Sequence, residues 1–360
     1  MKAFVTGGSG FIGQRVVRKL VERGWNVYAL ARSERSAAIV TNLGATAVPG
    51  DITDTASMRP GMVDSDVVFH IAAWYKIGAA DWTQAEAINV GGTRRVLRLA
   101  QELGIPKVVY VSTVAVFGDT HGQLVDETYF NAGPFDTEYE RTKWLAHYKV
   151  AVPLIEKGVP ITIVMPGGVY GPGDHSYMAE MMRMFYRGLP VLPGADLTVT
   201  YAHVEDVAEG IILAAEKGQP GESYILAGPA IPLGEMVDFW GHLLGKRPPA
   251  VRIPGRYLRP FAPIADFLHN LIPGMPDTFS GEAIASLGAT YMARSDKART
   301  ELGWQTRPLQ TGMLETFAWI EETEPPAAHQ REKKFALAAV GLAIMLLLFW
   351  LLGRRGRKNE

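Results

Sequence analysis

The sequence predicts an α/β fold: a doubly wound parallel sheet followed by a smaller C-terminal portion. Three observations carry this. Short continuous apolar runs alternate with helical patterns through the first half, and such runs suit strands buried on both faces of a parallel sheet. A glycine-rich turn, Val5-Thr6-Gly7-Gly8-Ser9-Gly10-Phe11-Ile12-Gly13, follows the first run and opens a helical pattern. The 360 residues are 48% hydrophobic and 20% charged, an ordinary globular balance with ample chain for a buried core.

The strand-like runs lie at 3–6, 27–31, 45–48, 67–71, 108–112 and 161–165. Helical patterns at 10–22, 85–103 and 139–156 separate several of them. The second half is richer in Pro and Gly, with helices expected at 175–187, 205–216, 232–245 and 310–322. Tyr177, Met178, Met181, Met182, Met184 and Phe185 recur near helical spacing and read as a core stripe. There is no internal repeat.

In the first turn Gly7, Gly10 and Gly13 fit a GxxGxxG spacing, and Gly8, Gly10 and Gly13 also fit GxGxxG. Glycines let the backbone turn tightly and approach a pyrophosphate. The helix beginning with Phe11 and Ile12 then presents free N–H groups and a positive dipole. The turn therefore reads as a dinucleotide site. The second run ends in Tyr28-Ala29-Leu30-Ala31-Arg32, with no acid before Glu34. An acid here would bind the ribose 2′-OH of NAD; an arginine suits a 2′-phosphate. The expected cofactor is NADP, with NAD possible if Arg32 is only a solvated surface residue. Asp51 and Ile52 are placed to meet the adenine edge. Ala72 and Ala73, just after His70-Ile71, are small enough for the cofactor to lie close. His70 is not expected to bind metal, because no ligand cluster of recognisable spacing surrounds it.

Tyr139 and Lys143, four apart, share one helix face. An ammonium beside a phenol favours phenolate, which would make Tyr139 a general acid/base near neutral pH. Ser112-Thr113, ending the fifth run, offers a hydroxyl at the same sheet edge as the glycine turn. Cysteine is absent, so thiol nucleophiles, thiolate zinc sites and iron–sulfur clusters are excluded. With 36 Lys+Arg against 37 Asp+Glu, the net charge of −1 argues against a general nucleic-acid binder.

Residues 335–353 carry no charge, with Trp350 near one end. At ~1.5 Å per residue the stretch spans ~28 Å, close to a bilayer's hydrocarbon thickness. Arg331, Lys333 and Lys334 flank one side; Arg354, Arg355, Arg357 and Lys358 flank the other. Met1-Lys2 runs straight into the first strand, with no leader before it. The expectation is a C-terminal transmembrane helix, a single-pass anchor in the lipid bilayer with a cytoplasmic catalytic domain.

These motifs, in this order, resemble the short-chain dehydrogenase/reductase superfamily in its extended form over residues 1–322. The likeness includes Asn89-Val90-Gly91-Gly92-Thr93, Ser112–Gly118, Pro166–Asp174, His203–Ala208 and the stretch ARSDKARTELGW at 293–304, which is similar to the C-terminal signature of NAD-dependent epimerase/dehydratases. In detail the chain resembles the dihydroflavonol-reductase-like and hopanoid-associated sugar-epimerase-like group, with 3β-hydroxysteroid dehydrogenases nearby. The resemblance implies a dinucleotide-binding Rossmann domain at 1–165 and a partly interleaved substrate-binding portion at 166–322. A linker at 323–334 and the anchor at 335–353 would follow. It implies Tyr139 as catalytic acid/base, Lys143 as ribose ligand and tuner of Tyr139, and Asn89 as a structural and proton-relay residue. Thr113 takes the place of the family's serine, counted five before Gly118, with Ser112 beside it. Pro166 would border the cofactor. Two departures stand out: Met165 where the family often has Arg, and Phe117 where it has Tyr.

Trp74, Tyr75 and Lys76 follow the fourth run and should border the substrate, unless the two aromatics merely pack a loop. Their bulk suits a hydrophobic or ring-shaped molecule. The leading expectation is an NADP-linked oxidoreductase acting on the alcohol or ketone carbon of a small steroid-, terpenoid- or flavonoid-like substrate. The alternatives are a nucleotide-sugar epimerase or dehydratase with tightly held cofactor, and a non-catalytic dinucleotide-binding scaffold. A homodimer is the family expectation.

Overall fold

Val, Ile and Phe fill the central strands so completely that both faces of each are buried, and only a sheet with helices on both sides accommodates that. The computed structural model describes residues 1–75, 82–272, 275 and 280–323. In it β1 (Lys2–Thr6), β2 (Asn26–Ala31), β3 (Thr46–Pro49), β4 (Val67–His70), β5 (Val108–Val111) and β6 (Ile161–Pro166) form a parallel sheet. Strand Ser223–Leu226 completes it beside β6. The order is Ser223–Leu226, β6, β5, β4, β1, β2, β3.

β1 lies between β4 and β2 because the chain winds outward to β3, then crosses back to start the other half. Ligands in such sheets sit at that reversal, beyond the C-terminal strand ends. The register pairs Thr6 with His70, so the ends of β1 and β4 open together at this point.

Alternate strand residues feed two cores. Phe4, Val68, Tyr110 and Ile163 pack on one face; Ala3, Val5, Val109 and Val164 pack on the other. α1 (Phe11–Glu22) lies alongside helix Val204–Lys217 on the second face. Arg18 meets both carboxylate oxygens of Glu205 at 2.7 Å, and Arg23 meets Glu216 at 3.0 Å. Pairs this exposed add little stability and mainly hold the two helices in register.

Among the helices that escaped the sequence reading are α2 (Glu34–Asn42) and α3 (Thr55–Met62) in the first half. Both are short and marked chiefly by caps: Ser33 with Ser36 forms a capping box, and Asp54 accepts from the Ala56 N–H. The patterns at 85–103 and 139–156 each fold as helix, but with a wider π-helical turn inside, at Glu86–Gly92 and His147–Ala151. Such turns gather at functional sites, and Asn89 lies in the first.

The second half builds a cover. Strand Thr198–His203 pairs with Gly168–Tyr170, Ala230–Pro232 and Thr290–Tyr291. Helices Tyr177–Tyr186, Leu233–Leu244 and Leu309–Thr323 enclose a third core of Met178, Met181, Met182, Phe185, Trp240 and Phe317. The methionine stripe is therefore packing, not a ligand surface.

The membrane-anchored architecture is corrected. Among the described residues no helix is long and apolar enough to cross a membrane. The last, Leu309–Thr323, has 15 residues and carries Glu315, Glu321 and Glu322, whereas a span needs ~20 mainly apolar residues. The stretch at 335–353, and nearly all of the linker before it, lie outside the described residues. The single-pass location with a cytoplasmic catalytic domain, and the bilayer as a partner, rested on that span and fall with it.

Trp240 packs against Phe185 and Phe317 at ring distances of 5.7 and 5.8 Å, and its buried indole N–H has no partner among the described residues. Trp240→Ala is expected to cost about 3–5 kcal/mol in denaturant unfolding. Trp240→Phe should cost clearly less, since it removes that unpaired donor as well.

Candidate active site

The glycine turn is built by close approach. Gly7 adopts φ +75°, and a Cβ there would stand 2.6 Å from the Ala72 nitrogen. A Cβ on Gly13 would fall on the Gly7 carbonyl oxygen. The Gly10 N–H donates to that oxygen at 3.0 Å, closing the turn. Helix α1 then starts at Phe11 and Ile12 with Gly10 as a cap that has no side chain, so its first N–H groups face the crevice without competition. This cradle has the shape and polarity that a diphosphate requires.

Arg32 is exposed at the end of β2 and makes no ion pair with a described residue. The Asp51 carboxylate accepts from the N–H and hydroxyl of Thr53 at 2.8 and 2.7 Å, which commits one oxygen to its own turn. Ile52 packs against Gly92, so its side chain belongs to the core. Pro166 is buried at the end of β6.

His70 is fully buried between two hydroxyls, Thr6 Oγ1 at 2.8 Å and Thr93 Oγ1 at 2.9 Å. Burial, then the Lys143 charge, pushes its pKa down to about 3. It is a neutral spacer below the crevice. No group of residues that could hold a metal occurs among those described.

The segment after β4 is held from both sides. The Ala72 N–H donates to Thr6 Oγ1 at 3.3 Å, and Ala73 is exposed beyond it. Asn89 accepts from the Trp74 N–H at 2.7 Å and donates to the Trp74 carbonyl and Thr142 Oγ1, each at 3.0 Å. It thus clamps this loop to the helix Glu138–Ala146, which carries Tyr139 and Lys143. Trp74 meets Trp82 edge-on at 5.3 Å. Tyr75, 49% exposed, stands edge-on to the Tyr139 ring at 4.8 Å. Lys76 lies outside the described residues.

Lys143, 2% exposed, donates to the Val111 carbonyl at 2.9 Å. Burial pushes its pKa down to about 7. One turn further, His147 bonds Ser112 Oγ at 2.9 Å. Ser112 is thereby committed elsewhere, and Thr113 is the hydroxyl close enough to the Tyr139 phenol to lower its pKa. The sequence expectation that Lys143 lowers the phenol's pKa is not what the electrostatics give. Burial raises Tyr139 to about 12; Thr113 lowers it and the Glu140 charge raises it further. Phe117 is buried against Tyr129 at 5.6 Å, so the missing tyrosine hydroxyl is replaced by packing.

The structure thus gathers Thr113, Tyr139, Lys143, Asn89, Trp74 and Tyr75 at the reversal of the sheet, beside the cradle. Sequence reasoning missed Glu140, Tyr291 and Glu282, which meet at the first turn of the Tyr139 helix. Glu140 sits inside the motif, but nothing in its spacing marks partners some 150 residues away.

The NAD dependent epimerase/dehydratase family matches residues 3–227. The 4-hydroxy-2-methyl-3-oxo-4-farnesyl-3,4-dihydroquinoline-1-oxide ketoreductase of Stigmatella aurantiaca is 32% identical over 312 residues, 85% of this chain and 92% of its own. Sterol demethylase protein B of Methylococcus capsulatus is 28% identical over 329 residues, 89% of this chain and 99% of its own. The crystal structure of gox2253 superposes with a TM-score of 0.76 at 32% identity, covering 89% of this chain and 98% of that one.

Gly13→Ala places a methyl on the Gly7 carbonyl and must open the turn. Dinucleotide binding, followed by fluorescence of the reduced cofactor, is expected to weaken at least about tenfold, because the cradle's N–H groups lose their aim.

Proposed function

We propose, for a chain that belongs to the NAD-dependent epimerase/dehydratase family and is an NAD(P)-dependent enzyme of the short-chain dehydrogenase/reductase type, a reductase or dehydrogenase acting on the ketone or alcohol of a small apolar molecule. The observation that carries this is the seat of the Tyr139 phenol. Its ring stands edge-on to an aromatic wall, the Tyr75 ring, at 4.8 Å, and the Thr113 hydroxyl is close enough to lower the phenol's pKa.

A bound nicotinamide cofactor supplies or accepts the hydride. The protein's residues do the rest. In the reducing direction Tyr139 gives its phenolic proton to the carbonyl oxygen as carbon takes up the hydride; in oxidation it takes the hydroxyl proton. Thr113 holds the same oxygen, so the reacting carbon is aimed before any bond changes. Lys143 binds the ribose and, when protonated, offsets charge on the phenolate. Asn89 fixes the loop that separates cofactor from substrate. Pro166 and the two alanines after β4 border the cofactor.

The apolar character of the substrate rests on Trp74 and Tyr75, which present ring surface where a sugar nucleotide would ask for hydrogen-bond partners. The names of two relatives, a farnesyl-quinoline-oxide ketoreductase and a sterol demethylase protein, fit the same chemistry. Preference for NADP rests on Arg32, whose exposed guanidinium can fork onto a 2′-phosphate.

Ketones, alcohols and nucleotide sugars assayed by loss or gain of reduced-nicotinamide absorbance test the reading. NADPH-dependent reduction of apolar ketones is expected. Epimerisation of a sugar nucleotide without net redox, by protein that purifies with cofactor bound, would overturn it. Tyr139→Phe should lower kcat by about 10²–10⁴-fold while cofactor affinity stays unchanged. Arg32→Glu should raise KM for NADPH by about tenfold or more and leave KM for NADH nearly as it was.

A further inference from the structure

We propose that Glu140 and Tyr291 form a positioning pair, through which the C-terminal cover sets the seat of the Tyr139 phenol. The proposal deepens the reading of Tyr139 as proton carrier and rests on it.

The geometry has two parts. The first is local. Thr137 caps the helix Glu138–Ala146 by accepting from the Glu140 N–H at 3.1 Å, and Glu140 Oε2 accepts from the Asp136 N–H at 3.0 Å. Any well-made helix start has such bonds. The second part is not local. Glu140 Oε1 accepts from the Tyr291 hydroxyl at 2.7 Å, and Tyr291 belongs to strand Thr290–Tyr291 of the cover. Beside it, Glu282 Oε1 accepts from the Glu138 N–H at 2.6 Å, and Glu282 begins the cover's helix Gly281–Ser286. The first turn of the catalytic helix is therefore held from two places by residues of the cover.

The pair is also electrically close to the phenol. Glu140 is the residue after Tyr139 and 3% exposed. Burial, with the nearby Asp136 charge, raises its carboxyl to about 7, while the Tyr291 hydroxyl lowers it. The ionised carboxylate raises the Tyr139 phenol in turn. The groups facing it are Asp136 from the preceding loop, Tyr291 from the strand, and Tyr139 and Thr137 on its own element. Behind these stand Arg259, ion-paired to Asp136 at 2.9 Å and to Asp119 at 3.7 Å, and His121, 3.5 Å from Asp119. Arg259 answers Asp136 directly, so Glu140 is the acid left to act on the phenol. A helix cap alone needs neither a partner from the cover nor a carboxylate rather than an amide.

The test uses the full chain with Glu140→Gln, which keeps the local acceptor, and Tyr291→Phe, which removes only the hydroxyl. Ring-labelled tyrosine NMR, with the signal assigned by Tyr139→Phe, reads the phenol without substrate. Glu140→Gln removes a negative charge, so the phenol should titrate at lower pH, by about half a unit or more. Tyr291→Phe should shift the same resonance. In turnover, the kcat limb set by Tyr139 should move to lower pH in Glu140→Gln. Tyr291→Phe should lower kcat about tenfold at unchanged cofactor affinity. The double variant should be no worse than the poorer single one. If the Tyr139 signal and the pH limb stay put while only the melting temperature falls, the pair is a cap and the proposal is wrong. If the signal moves but Tyr139→Phe retains turnover, the pair stands and the reading of Tyr139 as proton carrier fails.

Discussion

The hydrogen bond from the Lys143 amine to the Val111 carbonyl, 2.9 Å long and bridging 32 residues, is the contact from which the site is built. A buried amine without a partner costs several kcal/mol, so the helix carrying Lys143 has one rotation that satisfies it. That rotation brings the helix against the end of β5, where Ser112 and Thr113 follow Val111. The His147–Ser112 bond, one turn further, repeats the constraint, and Asn89 to Thr142 adds a third rung. Ser112 and Thr142 are thus both engaged, and the Thr113 hydroxyl, which accepts from the Ala115 N–H at 3.2 Å, is the one close enough to lower the pKa of the Tyr139 phenol.

The same burial decides the protonation states. It raises the phenol to about 12 and lowers the amine to about 7. Desolvation disfavours whichever form is charged, and it is the largest cause for both groups. Near neutral pH the proton resides on Tyr139. On the proposed mechanism the site is thereby set as an acid ready to protonate a ketone oxygen, and forming phenolate requires positive charge nearby. This explains why a lysine is buried at all in a region where an apolar residue would pack at less cost.

Much of this was legible in the chain. The strands were readable because a parallel sheet leaves no polar face to confuse the pattern. The glycine turn was readable because its spacing answers to a fixed geometry, and Tyr139 with Lys143 because four residues make one helical turn. The choice of Thr113 over Ser112 came from resemblance; in the structure Ser112 is engaged by His147. Other features were not legible. Helices α2 and α3 are short and depend on caps more than on apolar period. Glu140, Tyr291 and Glu282 come together through long-range contacts such as the pairing of Thr290–Tyr291 with Thr198–His203, which no local pattern encodes. The apolar stretch at 335–353 lies outside the described residues. Length and hydropathy suggested a span there, whereas nothing among the described helices has that character.

One short segment joins the two halves of the site. From His70 to Tyr75 the chain passes between the cofactor cradle and the aromatic wall. His70 is fixed between the hydroxyls of Thr6 and Thr93. The Ala72 backbone lies so close to Gly7 that Gly7 tolerates no side chain, and Trp74 is bonded through both backbone groups to Asn89. A segment tied at three points out of six residues has little freedom to shift. The distance between whatever the glycine turn binds and whatever lies against Tyr75 is then set by the fold itself. Hydride transfer demands such control, since a misplacement of about 1 Å costs about a hundredfold in rate. The neutral state of His70 is part of the same control, because a charge there would draw in water and loosen the ring from its two hydroxyls.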